Sequence, residues 1–331
     1  MNSKWIVVTT INKPTDAIFA ISKLCSDRGW RAVVVGDKKT TDSWHVDNID
    51  YLSVQNQIDL FPELSDLIPY NHYCRKNIGY LYAINHGASV ILETDDDNIP
   101  YEDFGEKTDR NLICNTVSGH SWINIYRHFT DQFIWPRGLP LDEIRNVGNL
   151  SLDEKEINCP IQQFLADLDP DVDAIYRLIF NKEVSFSSRT PIAIEKDCWV
   201  PFNSQNTLFF KESFALLYLP CFVSFRMTDI WRSFVAQQVL WIFNYKVAFL
   251  SPTVKQIRNE HNLLKDFSDE VPGYLQNKKI ADILSERAKS INPDIGIPLA
   301  ALALWEALAA NNIIEQREIR IIRCWLNALH S

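Results

Sequence analysis

Apolar residues recur in two rhythms along the first hundred positions. Short runs such as "WIVVTTI" (Trp5 to Ile11), "RAVVVGD" (Arg31 to Asp37), "DYLSV" and "ASVILET" (Ala88 to Thr94) lack polar alternation, as strands covered on both faces do. Between them, "TDAIFAISKLCSDRGW" sets Ile18, Ile21 and Leu24 at helical spacing, and "CRKNIGYLYAINHG" reads as a helix closed by Gly87. This alternation predicts an α/β fold with right-handed crossovers and a parallel sheet. Ligands of such sheets bind beyond the carboxyl ends of the strands. Here those ends are Thr9, Thr10, Asp37 and the run Asp95, Asp96, Asp97.

Residues 101–200 are irregular and rich in Pro, Asn and aromatics, which suits long ordered loops over a site. Pattern returns with "NTLFFK", "VSFRM" and "KVAFL" as expected strands. "DIWRSFVAQQVLWIFNY" is an expected buried helix capped by Thr228 or Asp229. Beyond about Tyr274 three helices are expected, in "NKKIADILSERAKS", "PLAALALWEALAAN" and "EQREIRIIRCWLNALH". The division is thus a core domain over residues 1–270 and a helical extension over residues 271–331.

Composition narrows the function classes. The 331 residues are 46% hydrophobic, enough for a large core. A net charge of -9 argues against nucleic acid as a partner, because that needs a basic stripe. The seven cysteines are odd in number and none are spaced C-x-x-C, so buried reduced thiols in a reducing compartment are expected. No secretory signal opens the chain, and its most apolar later stretch is interrupted by Glu306. A cytoplasmic protein without a transmembrane segment is the expectation. No G-x-G-x-x-G or Walker motif occurs, which argues against a dinucleotide dehydrogenase or a P-loop enzyme.

The chemistry gathers around "ILETDDDNIP". Three adjacent carboxylates stay ionised only beside a cation or several donors. Asp95 and Asp97 can straddle Mg²⁺ or Mn²⁺ while Asp96 points elsewhere, or the run can form an Asx-type turn before Pro100. Asp37, after Gly36, is placed to accept from a uracil N3–H or contact a ribose hydroxyl, or else is a turn former. Arg75 and Lys76 open a helix, where cations and free N–H groups can face phosphates, or they form a solvated basic turn.

These residues resemble GT-A glycosyltransferases, and more specifically the STELLO-like glycosyltransferase family. The carrying stretches, in family order, are "WIVVTTINKPTDAI", "VVVGDKKT", "PYNHYCRKNIGYLYAINHGA", "ETDDDNIP", "IWPRGLPLDEI", "DPDVDAIYRL", "PFNSQNTLF", "VSFRMTDIWRSFVAQ" and "TVKQIRNEHNLLKDF". They lie between residues 4 and 267, leaving the last helices outside. A more distant similarity is to the reversibly glycosylated polypeptides, which are UDP-arabinopyranose mutases, through Asp95 to Asp97, "RGLP" and "TDIW".

The resemblance implies a GT-A fold, a nucleotide-sugar donor (UDP-linked), a carbohydrate or other hydroxyl acceptor, and Mn²⁺ or Mg²⁺ as cofactor. By position, Asp95 and Asp97 hold the metal and diphosphate, Asp37 the base, and Arg75 and Asn77 lie along the nucleotide. His261 is the candidate further metal ligand, or a loop histidine capping a backbone group. Asp229 is either only a helix cap or also the base that deprotonates the acceptor. Arg137 aligns with the mutase arginine that becomes sugar-linked, but pairing to the diphosphate is the simpler role, and stacking on Trp135 a third. Asn203 and Gln205 suit sugar hydroxyls or satisfy loop backbone. Plant members carry a membrane-anchoring N-terminal region; this chain opens on the catalytic motifs. Three functions therefore compete: a metal-dependent glycosyltransferase, a nucleotide-sugar mutase acting through Arg137, and a binding or scaffold protein without turnover.

Overall fold

A computed structural model describes residues 3–329 apart from 42, 120, 181 and 259–261. The chain begins with β1 (Ser3–Thr9), α1 (Asp16–Arg28), β2 (Arg31–Val35), β3 (Asp50–Leu52), α2 (Val54–Leu60), α3 (Pro62–Leu67), α4 (Lys76–Asn85) and β4 (Ala88–Thr94). The strands β3, β2, β1 and β4 lie side by side in parallel. Their alternate residues feed two cores. Trp5, Val7, Val33, Val35 and Ile91 face α4, while Ile6, Val8, Val34, Val90 and Leu92 face Ile18, Ile21 and Leu24 of α1. Burial on both faces is why these strands read as unbroken apolar runs.

The middle of the chain is more regular than its composition suggested. It carries β5 (Asn98–Pro100), a hairpin of β6 (Asn111–Ser118) and β7 (Asn149–Asn158), then β8 (Ile161–Asp167), α5 (Ala174–Ile179) and β9 (Ile192–Ile194). Next come β10 (Asn206–Phe210), α6 (Thr228–Ile242), β11 (Val247–Gln256), α7 (Leu263–Ala288), α8 (Ile297–Ala310) and α9 (Arg317–Ala328). The sheet order is β3-β2-β1-β4-β10-β8-β11-β9-β6-β7, with β5 paired to β11. β10 enters antiparallel between β4 and β8, and β11 runs parallel to β8. The expected α/β architecture with helices on both faces and a C-terminal helical region is therefore present. The expected strand "VSFRM" is instead a 3-10 turn, Phe225–Met227, leading into α6.

Two contacts place α4 and α6 on the sheet that carries the aspartates. Gly79 of α4 lies so close that a Cβ there would sit 2.7 Å from Val7 Cγ1 and Val35 Cγ2. Arg232 of α6 grips Glu93 through two bonds of 2.6 and 2.8 Å, fully buried. The C-terminal helices continue the α4-side core through Leu304, Trp305, Ile322 and Trp325. Buried Glu318 of α9 accepts from the N–H groups of Cys221 (2.7 Å) and Phe222 (2.8 Å) and from the Tyr218 hydroxyl (2.5 Å). The expected boundary between residues 270 and 271 falls within α7. No helix among the described residues is long and apolar enough to cross a membrane.

Candidate functional site

A cavity of about 540 Å³ opens beyond the carboxyl ends of β1, β2, β4 and β11. Thr9 and Thr10 reach it from β1, Asp37 from β2 and the three aspartates from β4. The parallel pairing of β1 with β4 brings Thr10 and Asp96, 86 positions apart, into hydrogen-bond contact.

The aspartates do not share one environment. Asp96 turns toward the loop after β1, accepting from the Thr10 hydroxyl at 2.5 Å and from Asn12 Nδ2 at 3.0 Å. Asp95 accepts from buried Lys76 Nζ at 3.1 Å and from the Tyr73 hydroxyl at 3.2 Å. Burial nevertheless pushes its carboxyl above the usual range. Lys76 also bonds the Thr94 carbonyl at 2.7 Å, so its charge is held against the strand end. Asp97 is pushed up to about 7, chiefly by burial and then by Asp95. Two bonds from Gln256 Nε2, at 3.1 and 3.0 Å, only partly offset this.

These oxygens are of the hard type that a divalent cation takes. Among the described residues no three acidic, histidine or cysteine side chains converge as a metal-binding group. Two carboxylates are the number that Mg²⁺-type ions commonly take from a protein, completing their shell from water and substrate. His261 lies outside the described residues.

Beside the aspartates, Asp37 accepts from the Lys38 N–H at 2.7 Å and, more weakly, from the His72 N–H at 3.3 Å. Arg75 lines the cavity with its Nε on Gln57 Oε1 at 2.8 Å and its guanidinium over the Tyr70 ring. Its buried Nη2 has no hydrogen-bond partner among the described residues, and an unpaired buried donor of this kind favours an anion. Asn77 departs from expectation. It is fully buried away from the cavity, exchanging two 2.8 Å bonds with the backbone of Leu219. The reason is helical geometry, because Asn77 lies two positions beyond Arg75 and points to another side of the turn.

Arg137 and Asp229, which also line the cavity, form a closed pair. Arg137 bonds Asp171 through Nε (2.8 Å) and Nη2 (2.7 Å), and Asp229 through Nη1 (3.0 Å) and Nη2 (2.9 Å). Its last donor meets the Arg226 carbonyl. With every N–H directed at a protein acceptor, Arg137 has none left for a diphosphate, contrary to expectation. Asp229 also receives the Ser204 N–H and hydroxyl, each at 3.2 Å. Although burial opposes its charge, Arg137 holds its carboxyl down at about 2. A carboxylate so stabilised is a weak base. Nor does it cap α6, which has no side-chain cap bond.

Asn203 and Gln205 do line the cavity, largely engaged with protein. Asn203 Oδ1 accepts from the Gln205 N–H at 3.0 Å, and Gln205 Nε2 bonds Gln256 Oε1 at 2.7 Å. Gln256, Arg258 and Arg226 also line it and were not anticipated. The signal for the first two was present in "TVKQIRNEH". β11 continues six residues past "KVAFL", and so its end reaches the same edge as the aspartates.

Comparisons with known proteins agree with this picture at the level of family. A model described as STELLO glycosyltransferases matches residues 226–331, a range that includes the helices the sequence motifs left aside. The probable glycosyltransferase STELLO2 of Arabidopsis thaliana is 32% identical over 294 residues, covering 81% of this chain and 37% of its own. STELLO1 of the same plant is 31% identical over 277 residues, covering 76% and 35%. The chain therefore spans about a third of the length of these relatives. A mycobacterial protein of known crystal structure is similar with a TM-score of 0.41 and 9% identity, over 83% of this chain and 74% of its own.

Proposed function

The chain belongs to the STELLO glycosyltransferase family, and from that premise we propose that it transfers a sugar from a UDP-sugar to a hydroxyl acceptor. The observation that carries the proposal is the convergence of Asp37, Asp95 and Asp97 in one cavity at the strand ends. Asp37 binds the nucleoside, through its base or ribose. Asp95 and Asp97 hold Mn²⁺ or Mg²⁺ together with the diphosphate, and Arg75 lends its unpaired Nη2 to the same anion. When bound, the cation neutralises charge growing on the leaving diphosphate. The acceptor oxygen forms a new bond to the anomeric carbon as the bond to the diphosphate breaks; the electron pair departs with UDP, and the hydroxyl proton passes to water.

Arg137 and Asp229 brace the wall of the site in this reading. Freeing Arg137 for a sugar link requires separating it from two carboxylates, which sets a mutase behind a transferase. The test is thermal stability with and without UDP and Mn²⁺. The two together are expected to raise Tm, and Asp97→Ala to abolish the metal-dependent part. No response to any nucleotide sinks the proposal. Incubation with labelled UDP-sugar separates the alternatives, because label on Arg137 or in a ring-contracted sugar indicates a mutase. Nucleotide-sugar binding without any turnover indicates a scaffold.

A further inference from the structure

A second cavity, of about 400 Å³, adjoins the first and shares Gln256 and Arg258 with it. Gln256 thereby stands in the partition, its amide N–H on Asp97 and its carbonyl on Gln205. The outer walls come from α5 and the segment after it, including Arg177 and Lys182. Three cations, Arg177, Lys182 and Arg258, line it together with two carboxylates, Asp169 and Glu183, while Asp266 pairs with Arg258 from outside the lining. Arg177 is fixed in place, with Nη2 on the Pro170 carbonyl at 2.8 Å and Nη1 on Asp169. Arg258 pairs with Asp266 at 3.2 Å. Burial, and then the like charges of Arg177 and Arg226, pull the Arg258 guanidinium down to about 10.

We infer that this second cavity binds the acceptor, and that the acceptor carries an anionic group, a phosphate or a carboxylate. The inference rests on the donor occupying the first cavity. A molecule held by Arg177 and Lys182 through its anion extends its hydroxyl toward the Gln256 partition, beyond which lie Asp97 and the donor. Pre-placed arginines suit either anion, since their forked donors match both geometries. A neutral sugar would forgo the charge-assisted bonds that Arg177 and Lys182 offer an anion.

The experiment uses the whole chain and three probes: inorganic phosphate, methyl glucuronide and neutral methyl glucoside. Each is titrated calorimetrically in the presence and absence of saturating UDP and Mn²⁺. Phosphate or methyl glucuronide is expected to bind alongside UDP, at least about tenfold more tightly than methyl glucoside. Which of the two binds identifies the anion. Lys182→Glu is expected to weaken that binding by roughly tenfold and leave UDP affinity unchanged. Arg177→Gln should do the same, with its Tm recorded as a folding control. Competition between UDP and the anionic probes, or an unchanged affinity in Lys182→Glu, overturns the inference. If UDP fails to bind while Lys182→Glu still loses phosphate, the donor reading falls and the anion-binding cavity stands.

Discussion

Asp97 and Asp229 face one cavity in opposite electrostatic situations. Asp229 is paired with Arg137, and removing it leaves a buried guanidinium with one carboxylate instead of two. Asp229→Ala is expected to lower unfolding stability by roughly 3 kcal/mol, measured in urea, the range for breaking a buried ion pair. Asp229→Asn should lose less, and a variant as stable as the parent would contradict the bracing role. Asp97 and the buried Asp173 are each pushed up to about 7 by burial. Their folded pKa exceeds the unfolded one, so the folded state binds more protons between about pH 4 and 7, and stability falls as pH rises through that window. Asp229 acts the other way, its contribution present above about pH 4 and lost toward pH 2. Asp173 alone accounts for up to about 1.4 kcal/mol per pH unit. Without metal, Tm should therefore drop between pH 5 and 7, and Asp173→Asn should flatten the slope. Equal slopes in the two proteins would refute the assignment. Much of this was hidden in the sequence. The residues "DDD", Asp37 and Arg75 marked the cavity, but "RMTDIW" says nothing of the Arg137 that binds Asp229 ninety-two positions away.

At the scale of elements, α4 illustrates how closely a helix can be seated. Gly79 lets it rest on β1 and β2, and Gly79→Ala must displace Val7 or Val35. A loss of about 1–3 kcal/mol is expected for such overpacking, with an unchanged denaturant m-value; a neutral substitution would mean that the helix shifts freely. The doubly buried strands were readable because their central runs, Trp5 to Val8, Ala32 to Val35 and Val90 to Leu92, are apolar on both faces. β7 was not, since almost all of it is exposed and "NLSLDEKEIN" has no apolar face. Only backbone pairing with β6 makes it a strand. "VSFRM" has the opposite history. Its side chains favour a strand, but the chain turns there to enter α6 and no neighbouring strand receives it.

For the whole molecule, the telling residue is Glu318. From α9 it secures the backbone at Cys221 and Phe222, while Asn77 of α4 secures Leu219 in the same segment. Glu318→Ala leaves two buried N–H groups and the Tyr218 hydroxyl without their acceptor, at about 1–3 kcal/mol each. A pronounced fall in Tm and earlier proteolysis of the C-terminal helices are expected. An unchanged melting curve would indicate helices that merely adhere. Local pattern was enough to determine the parallel first half of the α/β sheet, the strand-end edge where the cavity lies and the acidic strand end, because periodicity and strand-end position depend on near neighbours. Tertiary structure decided which carboxylates are sealed in ion pairs, which is raised by burial, and where β11 brings Gln256 and Arg258. Those outcomes depend on burial and on partners far away in the chain, which no local stretch of sequence records.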